Sequence, residues 1–265
     1  MNTQDLETEN VMKVDIKGLM PAIVTPFTRG GKHVDYEKAC AIAVHLAKQG
    51  VHGLFVAGTT GESLLMTTEE RKHLTEELVH AVGNKLNIIP QVGCLDTATT
   101  IDLARHAFAA GAKAVGVVAP GFFTYDAAAL KAHFKAVAKA VEGPVLLYDI
   151  PGCAKNKISV ELTIELAREV ENIVGMKESD NDMVSFGRLV AELPKDFVLI
   201  NGVDEYSYQA YLTGAKGSVA STGNVAAKFL LGVYNNIQKG DLKQAWAFQQ
   251  KLNEVCKMFR YGGLH

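Results

Sequence analysis

The sequence predicts an α/β fold, a (β/α)8 TIM barrel with extra C-terminal helices. Short apolar runs alternate about eight times with longer amphipathic stretches, which is typical of repeated β/α units. Most runs contain Val, Ile and Leu without polar alternation, as in parallel strands that are covered on both faces. Eight units in roughly 210 residues fit a closed barrel. A doubly wound sheet is the alternative, but no G-x-G-x-x-G motif follows the first run.

The eight apolar runs are predicted to be the barrel strands, because each is short and bounded by polar residues or turn signals. In chain order they are residues 18–25, 53–57, 87–92, 114–119, 144–149, 172–177, 197–201 and 217–220. In such a barrel, the groups that carry chemistry lie at the C-terminal ends of the strands. The residues that follow each run are therefore the candidate site residues.

The amphipathic stretches between the runs are predicted to be the outer helices. Asp35 is placed to cap the first, and Thr67 with Glu70 has the spacing of a capping box at the second. Gly111 follows the third helix as a C-terminal stop signal. The predicted helices are residues 35–49, 71–82, 97–110, 126–141, 159–170, 180–193, 205–213, 225–238 and 242–259.

Composition and charge exclude several classes of function. Of the 265 residues, 48 % are apolar and 21 % are charged, as in an average globular protein. A formal net charge of −2 gives no reason to expect nucleic acid or an anionic membrane as a partner. No apolar stretch approaches the ~20 residues that cross a bilayer, and no secretory signal is evident, so a cytoplasmic location is predicted.

A single domain is predicted, because no linker rich in Pro, Gly or Ser divides the chain. Residues 1–15 are predicted to be a flexible arm, residues 16–224 the barrel, and residues 225–265 helices packed on the barrel. The four cysteines and eight histidines form no C-x-x-C or H-E-x-x-H motif. We therefore predict reduced cysteines and no metal site.

Lys177 is the most informative residue, because it ends a run that is predicted to be a buried strand. An unpaired buried ammonium is unfavourable, whereas a neutral amine is a nucleophile that forms a Schiff base with a carbonyl. The alternative is a lysine whose stem is covered while its ammonium reaches water. Tyr148 ends the preceding predicted strand, so its phenol could carry protons beside Lys177 or simply plug the barrel.

The turn Gly58-Thr59-Thr60-Gly61 follows the second predicted strand. Its hydroxyls and backbone N–H groups suit a small anion such as a carboxylate. Its glycines allow a ligand to approach the backbone closely. The turn does not match the G-x-x-x-x-G-K-[ST] phosphate loop, and glycine-rich turns are too common to identify a ligand alone.

Taken together, these segments resemble the family of 4-hydroxy-tetrahydrodipicolinate synthase and N-acetylneuraminate lyase. The matching segments are PAIVTPF at residues 21–27, GTTGE at 58–62, YDIP at 148–151 and GMKES at 175–179. Singly each is modest, but their order and spacing together are specific. The resemblance implies a class I aldolase that uses pyruvate or another 2-oxo acid, needs no cofactor, and forms a homo-oligomer, commonly a tetramer.

The resemblance also implies a role for each matching residue. Lys177 would form the Schiff base with the substrate ketone, and Tyr148 would move protons to and from the substrate oxygen. Thr59 and Thr60, in the turn that begins at Gly58, would hold the pyruvate carboxylate, with Thr59 hydrogen-bonded to Tyr148. The protonated imine would then stabilise the enamine that exists before or after the carbon–carbon bond.

Two departures concern the second substrate. The dipicolinate-type enzymes have an arginine shortly after the segment that matches YDIP, whereas this chain continues with Gly-Cys-Ala-Lys at residues 152–155. Lys155 lacks the bidentate fork of arginine, and Cys153 could contact substrate or pack. Those enzymes also use a second tyrosine, lent across a subunit interface, where this chain has Phe122.

The segments at strands six to eight resemble the sugar-acid lyases. The resemblance implies that Ser179, Asp204, Glu205 and Ser221 bind hydroxyl groups of a sugar acid, since carboxylates and hydroxyls suit polyols. The alternative for Asp204 and Ser221 is that they only cap the helices that follow them.

We therefore predict a Schiff-base lyase or aldolase that cleaves or forms a pyruvate-derived 2-oxo sugar acid, of the N-acetylneuraminate or 2-keto-3-deoxy sugar-acid type. The alternative is 4-hydroxy-tetrahydrodipicolinate synthase, which condenses pyruvate with aspartate semialdehyde. A third hypothesis is a paralogue that binds a 2-oxo acid without turnover. The expected partners are the small-molecule substrate and other copies of the chain.

Overall fold

The structure is a computed structural model that describes residues 14–259. The arm predicted at residues 1–15 lies outside the described residues, except for its last two positions. The strands are β1 (Gly18–Pro21), β2 (Gly53–Val56), β3 (Asn87–Pro90), β4 (Val115–Val118), β5 (Val145–Asp149), β6 (Ile173–Glu178), β7 (Val198–Asn201) and β8 (Gly217–Ala220). The helices are α1 (Tyr36–Lys48), α2 (Thr68–Val82), α3 (Thr97–Ala109), α4 (Ala127–Lys139), α5 (Pro151–Ala154), α6 (Val160–Glu169), α7 (Met183–Glu192), α8 (Ser207–Thr213), α9 (Gly223–Gln238) and α10 (Leu242–Phe259).

The strands are parallel and surround one interior. β1, β8, β7, β6, β5 and β4 pair in that order, and β2 pairs with β3. Two isolated parallel bridges join these sheets, from Ala22 to Phe55 and from Gln91 to Gly116. Because the bridges connect β1 with β2 and β3 with β4, the ring of strands closes. The predicted (β/α)8 barrel is therefore confirmed.

Local signals set the ends of the helices, as the sequence predicts. The Asp35 side chain accepts a hydrogen bond from the backbone N–H of Lys38 at the start of α1. Thr67 and Glu70 form a reciprocal capping box at the start of α2. Gly111 has a φ of +99° just after α3, a conformation that glycine adopts without strain. These caps satisfy backbone groups that a helix end leaves without an intrahelical partner.

Two elements differ from the prediction. No prediction covers α5, because four residues are too few to show a helical period, although Pro151 suits its first turn. β1 ends at Pro21, four residues before the end of its apolar run. There the chain leaves β8 for β2, since Ala22 N donates to Ala220 O and Ile23 N donates to Phe55 O.

Apolar side chains fill the barrel interior as well as the layer between strands and helices. The interior cluster includes Met20, Phe55, Ile89, Leu146, Val174, Val198, Ile200 and Val219. The C-terminal helix α10 packs on α9 and reaches the segment after β7 through Gln249. This fully buried amide accepts from Tyr208 N and donates to the carbonyl oxygens of Asp204 and Glu205. It ties the last helix to the barrel mouth.

Within residues 14–259, no helix has both the length and the hydrophobicity that crossing a bilayer requires. The same residues contain no group of three or more His, Cys, Asp or Glu side chains arranged to hold a metal ion.

Candidate active site

Lys177 lies near the C-terminal end of β6 and is only 4 % exposed. Its Nζ lies 4.0 Å from the centroid of the Tyr148 ring and 4.4 Å from the centroid of the Phe55 ring. The two rings meet edge to face, with centroids 5.5 Å apart and an interplanar angle of 82°. No carboxylate among residues 14–259 forms an ion pair with this amine. Its immediate partners are therefore two aromatic rings.

Tyr148 lies directly opposite Lys177 in the register of β5 and β6. It is 2 % exposed, and its hydroxyl lies 3.2 Å from Oγ1 of Thr59, with either atom able to donate. Tyr148 and Lys177 are one β/α unit apart in the chain, so adjacent parallel strands place both at one end of the barrel. The structure thus brings together the three predicted catalytic residues.

The turn after β2, which begins at Gly58, lies against the ring of Phe55. A Cβ at Gly58 would come 3.0 Å from the Phe55 ring, so glycine allows the turn to approach that ring closely. The Thr59 carbonyl accepts from Glu62 N at 3.0 Å and closes the turn. Thr59 and Thr60 are both half-buried. The Thr60 hydroxyl makes no hydrogen bond within the described part of the chain, so it is available to a ligand.

A cavity of about 650 Å³ opens at the C-terminal ends of β2 to β5. Thr59 and Tyr148 line it, and so do the exposed side chains of Phe122, Cys153 and Lys155. Apolar residues supply much of the remaining wall, among them Leu64, Leu65, Leu95, Val118 and Ile150. The Nζ of Lys177 is set back from the cavity, against the ring of Tyr148. A bound ketone would meet this amine once the flexible lysine stem turns toward the cavity.

The residues predicted to bind sugar hydroxyls do not line this cavity. Asp204 is buried and accepts from Thr222 N at 2.8 Å, Thr222 Oγ1 at 2.6 Å and Ser221 Oγ at 3.3 Å. Burial raises the pKa of the Asp204 carboxyl. Glu205 is half-buried, and its carbonyl oxygen accepts a hydrogen bond from α10. The buried Oγ of Ser179 has no hydrogen-bond partner among the described residues.

Two buried carboxylates lie one residue beyond the Tyr148–Lys177 pair. Asp149 and Glu178 are opposite each other in register, and strand alternation turns them away from the barrel interior. Asp149 accepts from Ile158 N at 2.9 Å, and Glu178 accepts from Asp180 N at 2.7 Å. Burial raises the pKa of Asp149 to about 6 and the pKa of Glu178 to about 8.

Phe55 is a site residue that the sequence analysis does not identify. It is fully buried on β2, and its ring contacts both the Lys177 amine and the Tyr148 ring. A continuous apolar run does not show which of its residues face the barrel interior. The signal that could have found it is its position three residues before Gly58, on the strand that leads into the turn.

The sequence is similar to known proteins of one family. The sequence model described as "Dihydrodipicolinate synthetase family" matches residues 15–262. A 4-hydroxy-tetrahydrodipicolinate synthase of Methanopyrus kandleri is 35 % identical over 88 % of this chain and 78 % of its own length. The enzyme of the same name from Bacillus subtilis is 33 % identical over 89 % of this chain and 81 % of its own length.

Solved structures have the same fold. Dihydrodipicolinate synthase from Aquifex aeolicus matches with a TM-score of 0.90 and 30 % identity, covering 94 % of this chain and 84 % of that one. YagE, a prophage protein of the same family from E. coli K12, solved in complex with pyruvate, matches with a TM-score of 0.90 and 27 % identity. That match covers 93 % of this chain and 84 % of YagE.

Proposed function

Because this chain belongs to the dihydrodipicolinate synthetase family and is a carbon–carbon lyase, we propose that it forms an imine between Lys177 and pyruvate. The observation that carries the proposal is the contact of the buried Lys177 amine with Tyr148, whose hydroxyl lies 3.2 Å from Thr59. These contacts support the assignment of Lys177 as the nucleophile, Tyr148 as the proton carrier and Thr59 as the hydroxyl that orients the carrier.

In the proposed mechanism, the amine nitrogen of Lys177 attacks the C2 ketone of pyruvate. Tyr148 delivers a proton to the departing oxygen, so that the imine forms and one water molecule leaves. Thr60 and the turn that begins at Gly58 bind the pyruvate carboxylate, while Thr59 orients the Tyr148 hydroxyl. Loss of a C3 proton gives an enamine, which adds to an aldehyde, and hydrolysis of the imine frees Lys177. The cleavage direction reverses these steps.

For the second substrate, we propose aspartate semialdehyde, as in 4-hydroxy-tetrahydrodipicolinate synthase. The sequence motifs favour a sugar acid as substrate, but the relatives described above are named 4-hydroxy-tetrahydrodipicolinate synthase. The hydrogen bonds of Asp204 also favour aspartate semialdehyde over a sugar acid, because its carboxylate already accepts hydrogen bonds from Thr222 and Ser221. The hypothesis of a sugar-acid substrate also predicts that four residues bind its hydroxyl groups, and this stays a prediction. They are Ser179, Asp204, Glu205 and Ser221.

We also propose a homo-oligomer, with the tetramer that the resemblance implies. Large apolar side chains are exposed around the cavity mouth, where a second copy would cover them. Leu64 is 85 % exposed and Phe122 is 70 % exposed, and Leu65, Leu95 and Phe123 are also exposed. A cytoplasmic location remains a prediction from the sequence.

Borohydride reduction in the presence of pyruvate tests the proposed imine. We expect one reduced pyruvyl adduct, located at Lys177 by peptide mass spectrometry, because borohydride fixes an imine irreversibly. The Lys177→Ala variant is the matched control and should carry no adduct. An unmodified wild-type protein, or an adduct that is equally abundant in the variant, would contradict the proposal. Pyruvate consumption with aspartate semialdehyde, compared with pyruvate release from a panel of sugar acids, then separates the two second substrates.

A further inference from the structure

Arg71 is a buried cation without a carboxylate partner. It lies on α2, is only 6 % exposed, and forms no ion pair with any residue between positions 14 and 259. Its Nη2 donates to Gln91 O at 2.6 Å, and its Nε has no hydrogen-bond partner in the same range. A guanidinium keeps its charge inside a protein, and burying a charge without an anion is unfavourable. The remaining contact of this side chain therefore decides how its charge is compensated.

That contact is with the sulfur of Cys94. Nη1 of Arg71 donates to Cys94 Sγ at 3.0 Å, whereas the sulfur lies 3.6 Å from Val92 O, the acceptor that a protonated thiol would use. Hydrogen bonds between charged partners are the shorter ones, so the two distances favour a thiolate that accepts over a thiol that donates. The loop holds the residue in place, since Cys94 N donates to Thr100 Oγ1 at 3.0 Å. The geometry is that of a guanidinium–thiolate pair.

Cys94 can be reached from the active-site cavity. It follows β3, is half-buried, and lines the cavity together with Thr59 and Tyr148. A cavity of about 650 Å³ has room for a reagent as small as hydrogen peroxide. The thiolate is the nucleophilic form of cysteine, and an adjacent arginine is one of the features that make a cysteine reactive. Cys94 therefore combines an activating cation with access.

Cys153 provides a comparison within the same cavity. It is exposed and lines the cavity as Cys94 does, but its side chain forms no hydrogen bond or ion pair within the described part of the chain. The two cysteines thus share access to the cavity and differ in whether a guanidinium contacts the sulfur.

We propose that Cys94 is a redox modification site, a thiolate that hydrogen peroxide oxidises to a sulfenic acid. The sulfur attacks one peroxide oxygen, an S–O bond forms and the O–O bond breaks. The sulfur loses two electrons to the peroxide, and the departing hydroxide takes up a proton to become water. A thiol reductant reverses the reaction. Because Tyr148 lines the same cavity, the modification places a reversible polar group inside the active site.

Two labels on the intact protein test this proposal. Limiting iodoacetamide at neutral pH, followed by peptide mass spectrometry, compares the alkylation rates of both cysteines in one sample. We expect Cys94 to react about tenfold faster than Cys153 or more, although Cys153 is the more exposed, because an arginine contacts only the former sulfur. Hydrogen peroxide followed by dimedone, which traps sulfenic acids, should add dimedone to Cys94. Cys94→Ser is the matched control and should lose this adduct while Cys153 is alkylated as in wild type.

Variants of Arg71 show whether the guanidinium causes the reactivity. Arg71→Met should slow alkylation of Cys94 to the rate of Cys153 or below, and Arg71→Lys, which keeps a cation without the fork, should preserve part of the difference. The rate of Cys153 is the internal control and should be the same in all of these proteins. If Arg71→Met does not fold, the comparison of wild type with Arg71→Lys decides, since loss of the Nη1 contact should still slow Cys94.

A Cys94 that reacts no faster than Cys153 in wild type would overturn the inference. So would reactivity that is unchanged by substitution of Arg71, or a dimedone adduct that Cys94 does not carry. None of these labels depends on the proposed lyase reaction, so the proposed function and this modification site stand or fall separately.

Discussion

The barrel mouth has buried polar residues at the ends of both β5–β6 and β7–β8. The two regions differ in how far other protein groups satisfy the hydrogen-bonding capacity of these residues. At β7–β8, Asp204 accepts three hydrogen bonds from Thr222 and Ser221. At β5–β6, the Lys177 amine lies over the rings of Phe55 and Tyr148, and the Tyr148 hydroxyl has Thr59 as its hydrogen-bond partner within the described chain. The β7–β8 region uses its polar groups to hold a loop, whereas the β5–β6 region leaves its polar groups available to a substrate.

Among the variants that test this comparison, Lys177→Ala should have the largest effect on kcat. Removal of a covalent nucleophile should lower kcat by roughly 10⁶-fold, because the imine can no longer form. The folded state should lose little stability, since the amine makes no ion pair with the described residues. Steady-state kinetics with coupled pyruvate detection measures the first effect, and thermal unfolding measures the second. Substantial residual turnover would mean that Lys177 does not carry the substrate.

Tyr148→Phe removes the hydroxyl while the ring remains against Phe55 and Lys177. We expect kcat to fall by about 10²- to 10⁴-fold, the usual contribution of a positioned proton carrier. The rate of borohydride trapping should fall with it, because imine formation needs the same proton. Thr59→Val should have a smaller effect in the same direction, since Thr59 only orients the hydroxyl. A Thr59→Val loss as large as that of Tyr148→Phe would mean that Thr59 has a more direct role.

The sequence predicts the neighbouring placement of Tyr148 and Lys177 at β5–β6 correctly, because this placement depends on strand order alone. Tyr148 and Lys177 end consecutive strands, and parallel register makes them neighbours. The role of Asp204 is harder to predict, because its partner Thr222 follows a different strand and reaches it only in the folded chain. The φ of +62° at Lys155 also leaves no trace in the sequence, since glycine is the residue that normally signals a positive φ.

Asp204→Ala tests the β7–β8 region. Its removal leaves the Thr222 N–H and two hydroxyls without an acceptor, so the free energy of unfolding should fall by about 1.5–3 kcal/mol. Urea denaturation measures this loss, and Asp196→Ala, at an exposed position, is the control. Imine trapping with pyruvate should be unaffected. A loss of activity on sugar acids with unchanged stability would instead favour the hydroxyl-binding role.

The pH dependence of stability concerns Glu178, whose burial behind the Tyr148–Lys177 pair raises its pKa to about 8. The folded state holds this proton more tightly than the unfolded chain does, where the carboxyl has its ordinary pKa near 4.5. The favourable contribution of the neutral carboxyl is therefore complete below about pH 4.5 and is lost as the pH rises toward 8. Asp149, with its pKa raised to about 6, acts in the same direction over a lower range.

Glu178→Gln should therefore flatten the decline of stability between pH 4.5 and pH 8, because the amide oxygen can still accept from Asp180 N but cannot ionise. Urea denaturation at a series of pH values measures the slope. Glu171→Gln, at an exposed position, should leave the slope as in wild type. An unchanged slope in Glu178→Gln would mean that the carboxyl ionises as it does in water. Among the two buried carboxyls of β5 and β6, only Asp149 would then make the free energy of unfolding depend on pH. The β5–β6 region would then differ less from the β7–β8 region, where Asp204 is held by hydrogen bonds.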